Sequence, residues 1–203
     1  MSLRLRAAGV LLRGPLLLPP LRWVERRTTG ALDRLLEEHD RAALEKVRLD
    51  DRPLPLTVAG RRREMASRHA RRVDALIADL GPDRAAEEGR RALGEAGRGM
   101  GEAARRWLRP SGDLGDLTAA ATVLYRVLGI EFRVKSEKSG VFLEVSRCAL
   151  AEVYSSATCR VLSAADEGVV RGLDPRVEMR FINHQVSEAP MCRASITVRE
   201  EGS

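Results

Sequence analysis

Hydrophobic positions follow one period in the first half of the chain and a different one in part of the second. From Thr29 to about Leu49, Leu32, Leu35, Leu36, Ala43 and Val47 recur at helical spacing, with acids and arginines opposite. Asp50-Asp51-Arg52-Pro53-Leu54-Pro55 predicts the stop and a short stiff linker. A second helix is expected from about Thr57 to Leu80, burying Met65, Val73, Leu76, Ile77 and Leu80, with Gly81-Pro82 as stop and restart. The third helical stretch, Pro82 to Leu108, carries Gly89, Gly94, Gly97, Gly99 and Gly101. Each glycine costs about 1 kcal/mol against alanine in a helix interior. Such a stretch either packs very close to a neighbour or breaks near Gly97–Gly101, and its glycines also leave room for a ligand.

Arg109-Pro110-Ser111-Gly112 marks a shift in composition. Asp113 then predicts a capped helix whose apolar side is Leu114, Leu117, Ala121, Leu124, Tyr125 and Leu128, ended by Gly129. Beyond Gly129 the period drops to two. Ile130, Phe132 and Val134 alternate with charged residues, and Val141, Leu143 and Val145 alternate again after a polar turn, which predicts a hairpin. Ala149 to Gly172 reads as helix, divided near Ser155-Ser156. Val177, Met179 and Phe181 form a third strand, and Cys192, Ala194, Ile196 and Val198 a fourth, across the loop Ser187-Glu188-Ala189-Pro190. The order predicts an α+β fold, with helices packed on an antiparallel sheet of about four strands joined by a helical crossover. Three regions follow: an arm over 1–28, a helical region over 29–111, and an α+β domain over 112–203.

Charge separates the halves. Residues 1–111 hold 24 Lys/Arg against 16 Asp/Glu, and residues 112–203 hold 11 against 13, so the basic excess belongs to the first half alone. No base-reading motif accompanies it and aromatics are scarce, so an ion-paired helical surface is expected rather than a specific nucleic-acid site. Residues 1–24 contain four arginines and no acid, but Arg13 and Pro15, Pro19 and Pro20 interrupt their apolar pieces. Neither a membrane span nor a signal peptide is expected, and the prolines predict a flexible or surface-docked arm instead of a helix. His39 and His69 fall among charges and read as surface or boundary residues.

Candidate chemistry lies between Arg147 and Arg193. That stretch holds all three cysteines, Cys148, Cys159 and Cys192, together with His184. An odd number of cysteines in a chain of this length suggests reduced thiols in a cytoplasmic protein. The predicted elements put each cysteine at a strand end or in the crossover, where side chains from separate segments converge. Free cysteine is also a common core residue, so inert burial stands beside the functional reading.

The runs LYRVLGIEFRVKSEKSGVFLEVSRCALAEVYSS, TCRVLSAADEGVVRGLDPRVEMRF and PMCRASITV resemble the L-2-amino-thiazoline-4-carboxylic acid hydrolase family, over about residues 113–199. The layout is also similar to that of the 4-vinyl reductase domain, a small ligand-binding module. Where the family tends to have Cys-Pro this chain has Cys148-Ala149, and where it tends to have Gly-Asp before the last cysteine this chain has Glu188-Ala189-Pro190-Met191. The resemblance implies hydrolysis of a cyclic C–N bond in a small carboxylated heterocycle. Either a thiolate attacks the amidine carbon, or cysteines with His184 hold a soft metal that activates water. Asp166 is the expected general base in both. Arg147 and Arg160, beside cysteines in sequence, are expected to clamp a substrate carboxylate or lower a thiol pKa, or else to form surface ion pairs. A non-catalytic ligand- or metal-binding sensor is the alternative to the hydrolase. The partner in either case is a small molecule, and the residues name no cofactor.

Overall fold

The structure, a computed structural model, describes residues 3–183 and 191–199. Its helical part begins with α1 (Leu3–Leu11), a single 3-10 turn at Gly14–Leu17, and α2 (Leu18–His39). Pro19 and Pro20 do not break the helix as expected. They occupy its first turn, where a missing N–H leaves no bond unmade. Leu5, Ala8, Leu17 and Leu21 are all buried, so the stretch expected to be an arm is folded onto the rest of the protein. The helix expected over Thr29–Leu49 is in fact the end of α2 followed by α3 (Arg41–Leu49). Asp40 divides them because its backbone is extended and its carboxylate accepts from Ala43 N, capping the new helix.

Thr57 caps α4 (Val58–Leu80) in the same way. Gly81, at φ 78°, turns the chain into α5 (Pro82–Leu108). Arg72 of α4, 1% exposed, ties α4 to α2 through Asp33 and to the α3–α4 linker through Asp51 at 2.9 Å. Two further arginines, Arg61 and Arg68, hold the buried Glu25 of α2.

The glycine-rich helix α5 runs without a break, and the alternative of close packing is the one realised. Its partner is α7 (Ser156–Leu173). A Cβ placed on Gly97 would stand 2.1 Å from the Ala165 carbonyl oxygen, and one on Gly101 the same distance from that of Val169. The relation is mutual: Cβ atoms on Gly168 and Gly172 would stand 2.2 Å from the carbonyls of Gly94 and Arg98. Glycines four residues apart on both helices thus strip one ridge from each and let the backbones touch.

Asp113 caps α6 (Leu114–Leu128), accepting from Asp116 N at 2.7 Å. Then come β1 (Ile130–Glu137), β2 (Gly140–Cys148), α7, β3 (Val177–Asn183) and β4 (Cys192–Val198). The four strands form one antiparallel sheet in the order β1-β2-β4-β3, so the fold is α+β with a helical crossover. Ile130, Leu143, Val145, Met179, Cys192 and Ala194 face the helices and pack with Ala121 and Tyr125 of α6. Ion pairs such as Glu144 with Lys135 at 2.7 Å lie at the alternate positions, on the other side. Among the described residues no helix is long and apolar enough to cross a membrane.

The close contact makes a sharp mutational prediction. Gly97→Ala and Gly101→Ala should each destabilise the protein by on the order of 3 kcal/mol, because backbone must move to admit the methyl group. Gly99→Ala, with nothing within 4 Å, should instead stabilise by about 0.5–1 kcal/mol. Urea denaturation of the three variants checks this, and equal effects at all three positions would contradict it.

Candidate functional site

The chain folds around an apolar cavity of about 140 Å³. A cavity of roughly 150 Å³ lined by aliphatic and aromatic side chains accepts a benzene ring, so this one suits a small cyclic molecule. Its walls come from both halves of the sequence: Pro20, Trp23, Val24 and Thr28 of α2, Met65 and His69 of α4, then α6, the sheet and α7. All three cysteines and Asp166 line it.

Helical spacing places the α7 members. Cys159, Leu162, Ser163, Asp166 and Val169 recur at the i, i+3, i+4, i+7 and i+10 positions, so one face of α7 is presented to the cavity. Cys148 is the last residue of β2, paired with Ile130, and the chain turns sharply after it. The N–H groups of Leu150 and Ala151 are near enough to the Cys148 sulfur to favour its ionised form, while that of Ala151 donates to the Cys148 carbonyl at 3.3 Å. Cys192 opens β4 on the same side of the sheet. None of the three cysteines is in a disulfide.

Burial governs the electrostatics. It raises the Cys148 thiol, against the pull of the Leu150 and Ala151 N–H groups, and nearby Asp166 and Cys192 raise it further. Cys159 is pushed up to about 12 by burial and then by Cys148, Cys192 and Asp166. Asp166 itself is raised to about 7, chiefly by desolvation and secondarily by its neighbour Glu167. The Tyr125 hydroxyl opposes this rise but makes no well-formed hydrogen bond, so it is a buried polar atom facing the cavity without a partner.

Tyr154, by contrast, is fixed. The Thr28 hydroxyl donates to the Val24 carbonyl at 3.0 Å, so it accepts from His69 Nε2 at 2.8 Å. That assigns the ring proton to Nε2 and makes Nδ1 the acceptor for the Tyr154 hydroxyl at 2.7 Å. His69 stays neutral, with its pKa held down to about 3 by burial and by Arg72 and Arg68. The Tyr154 oxygen therefore has its proton engaged and shows only lone pairs to the cavity.

The sequence expectations divide accordingly. Cys148, Cys159, Cys192 and Asp166 are brought together, while His184 lies outside the described residues. Arg147 and Arg160 do not line the cavity. Both are exposed; Arg147 pairs with Glu131 across the hairpin at 3.3 Å, because alternation in β2 turns it away from Cys148. His69, expected at the surface or its boundary, is 1% exposed. Sequence reasoning also missed Trp23, Thr28, Tyr125 and Tyr154. One signal was available for the last two: the chain has only two tyrosines, and both line the cavity.

Among the described residues, no three His, Cys, Asp or Glu side chains group in a way that could hold a metal ion. Comparison with known proteins finds no matching family model, curated protein or solved structure.

Asp166 should leave a mark on stability. It ionises near 3.8 in the unfolded chain and near 7 in the folded protein, so the unfolded state gives up its proton first as pH rises. Its contribution is complete below about pH 4, is lost progressively up to about pH 7, and is flat beyond. Asp166→Asn should flatten that window and be the more stable protein at alkaline pH. Urea midpoints measured across the range test this; parallel curves for the two proteins would refute it.

Proposed function

We propose that the protein is a small-molecule hydrolase acting on a cyclic C–N bond, with the cavity as its reaction chamber. The observation that carries this is the meeting of Cys148 and Asp166 on one apolar chamber, with the carboxyl raised to about 7. A general base works best with a pKa near the operating pH. A thiol pushed up by burial is not a resting thiolate, so it needs such a base. In the proposed reaction the Cys148 sulfur attacks the amidine carbon as its proton passes to the Asp166 carboxylate. The ring C–N bond then breaks, its electron pair staying on nitrogen, which takes the proton back from Asp166. Water, giving a proton to the carboxylate, attacks the thioimidate carbon, and the sulfur departs and is reprotonated. The sum is substrate plus one water. The N–H groups of Leu150 and Ala151 favour negative charge on sulfur throughout.

The lining also speaks to the substrate. Asp166 and the Tyr154 oxygen accept hydrogen bonds, and no Lys or Arg is among the described lining residues. The buried part is therefore the ring with its N–H-bearing end, and any carboxylate projects away from the chamber. Reduced thiols suit the cytoplasm, where such a reaction would run.

A second reading, a non-catalytic small-molecule sensor, is favoured by the upward shift of Cys148 and Cys159. A panel of small cyclic amidines, with and without a carboxylate, separates the two. A hydrolase converts at least one of them to a product heavier by one water, whereas a sensor is only stabilised against heat by it. Cys148→Ala should lower turnover by at least about 100-fold and Asp166→Asn by roughly 100- to 10,000-fold, with the fold retained by circular dichroism. Turnover undiminished in Cys148→Ala would remove the covalent step.

A further inference from the structure

The first 27 residues hold six arginines and a single acid, Glu25, which is buried against Arg61 and Arg68. Arg4, Arg6, Arg13, Arg22, Arg26 and Arg27 are all exposed, and none is within ion-pair distance of a carboxylate among the described residues. Some exposed arginines elsewhere find acids, as Arg41 finds Glu45, Arg63 Glu152 and Arg98 Glu102, while others such as Arg34 and Arg106 do not among the described residues; the N-terminal six differ in sharing their stretch with a single, buried acid. Along the chain the group brackets three exposed large aliphatic side chains, Val10, Leu11 and Leu16, each about 60% exposed (64%, 61% and 59%), with Arg4 and Arg6 before them, Arg13 among them and Arg22, Arg26 and Arg27 after them. These lie at the bend between α1 and α2. The bend is held in place: Leu5 and Ala8 are buried beside Leu108, and Arg126 of α6 donates to the Gly9 carbonyl.

We propose that this corner is a docking surface for an anionic lipid bilayer. Exposed cations on the same short stretch as exposed aliphatic side chains meet both demands of an interface, attraction to charged headgroups and insertion of apolar side chains just below them. A nucleic-acid backbone would use the arginines but gain nothing from the valine and leucines. The chain continues from this corner into Pro20, Trp23 and Val24 of α2, which line the cavity. The proposal does not depend on the chemistry of the cavity.

The test is co-sedimentation of the full chain with phosphatidylcholine vesicles made with and without phosphatidylglycerol. Binding is expected only to the anionic vesicles and should weaken as salt is raised. Val10→Ser, Leu11→Ser and Leu16→Ser together should reduce it about tenfold or more at low salt, these positions being too exposed to disturb the fold. Independently, each of Arg4→Gln, Arg6→Gln and Arg13→Gln should weaken binding about fivefold. Absence of binding to anionic vesicles would overturn the proposal, as would binding unchanged in the serine variant. Single-stranded RNA that displaced the vesicles and bound the serine variant as well as the original would mark a nucleic-acid surface instead.

Discussion

Everything in this fold is referred to the contact between α5 and α7, where two helices meet backbone to backbone. Helices packed through ordinary side chains stand about 8–10 Å apart, and glycines at the crossing remove the atoms that keep them there. Closing that gap gives α7 three occupied sides. Gly168 and Gly172 press on α5, Cys159 and Asp166 face the cavity, and Val170 packs toward the sheet. Glu167 locks the arrangement, accepting from Arg90 of α5 and from the Phe181 backbone of β3. The carboxyl of Asp166 thus has little freedom to move toward water, which is why its pKa stays high.

At the other end of the helical layer the organising force is charge. Burying Arg72 between Asp33 and Asp51 stabilises little in itself, because desolvation offsets most of the attraction. Its effect is positional. It fixes α4 against α2, and it adds positive charge beside His69, reinforcing the burial that keeps that ring neutral. The ion network and the Thr28–His69–Tyr154 chain therefore act together, one holding the helices and the other orienting a hydroxyl.

Much of the architecture was legible because it rests on periodicity. The helical stretches around Met65 and Leu124, the hairpin through Val134 and Leu143, and the crossover all follow from spacing. The N-terminal elements were not, because Pro19 and Pro20 mean opposite things inside a helix and in its first turn. Of the site, the cysteines could be read from their concentration, whereas Asp166 stands out only through the family resemblance. His69 could not, since its neighbours Arg68 and Arg72 look like solvent-facing charges until their buried carboxylate partners are known. Arg147 and Arg160 take the surface alternative, because adjacency in sequence to a cysteine puts a side chain on the opposite face of a strand or at a different angle around a helix.

The cavity is walled by α2 and α4 on one side and by α6, α7 and the sheet on the other, so neither half of the chain encloses it alone. An occupant in it belongs to both halves and bridges them without any covalent link. By linkage, whatever binds there adds its binding free energy to the cohesion of the entire molecule rather than to one region. Filling the chamber should therefore raise the melting temperature of the whole molecule, not of one half of it.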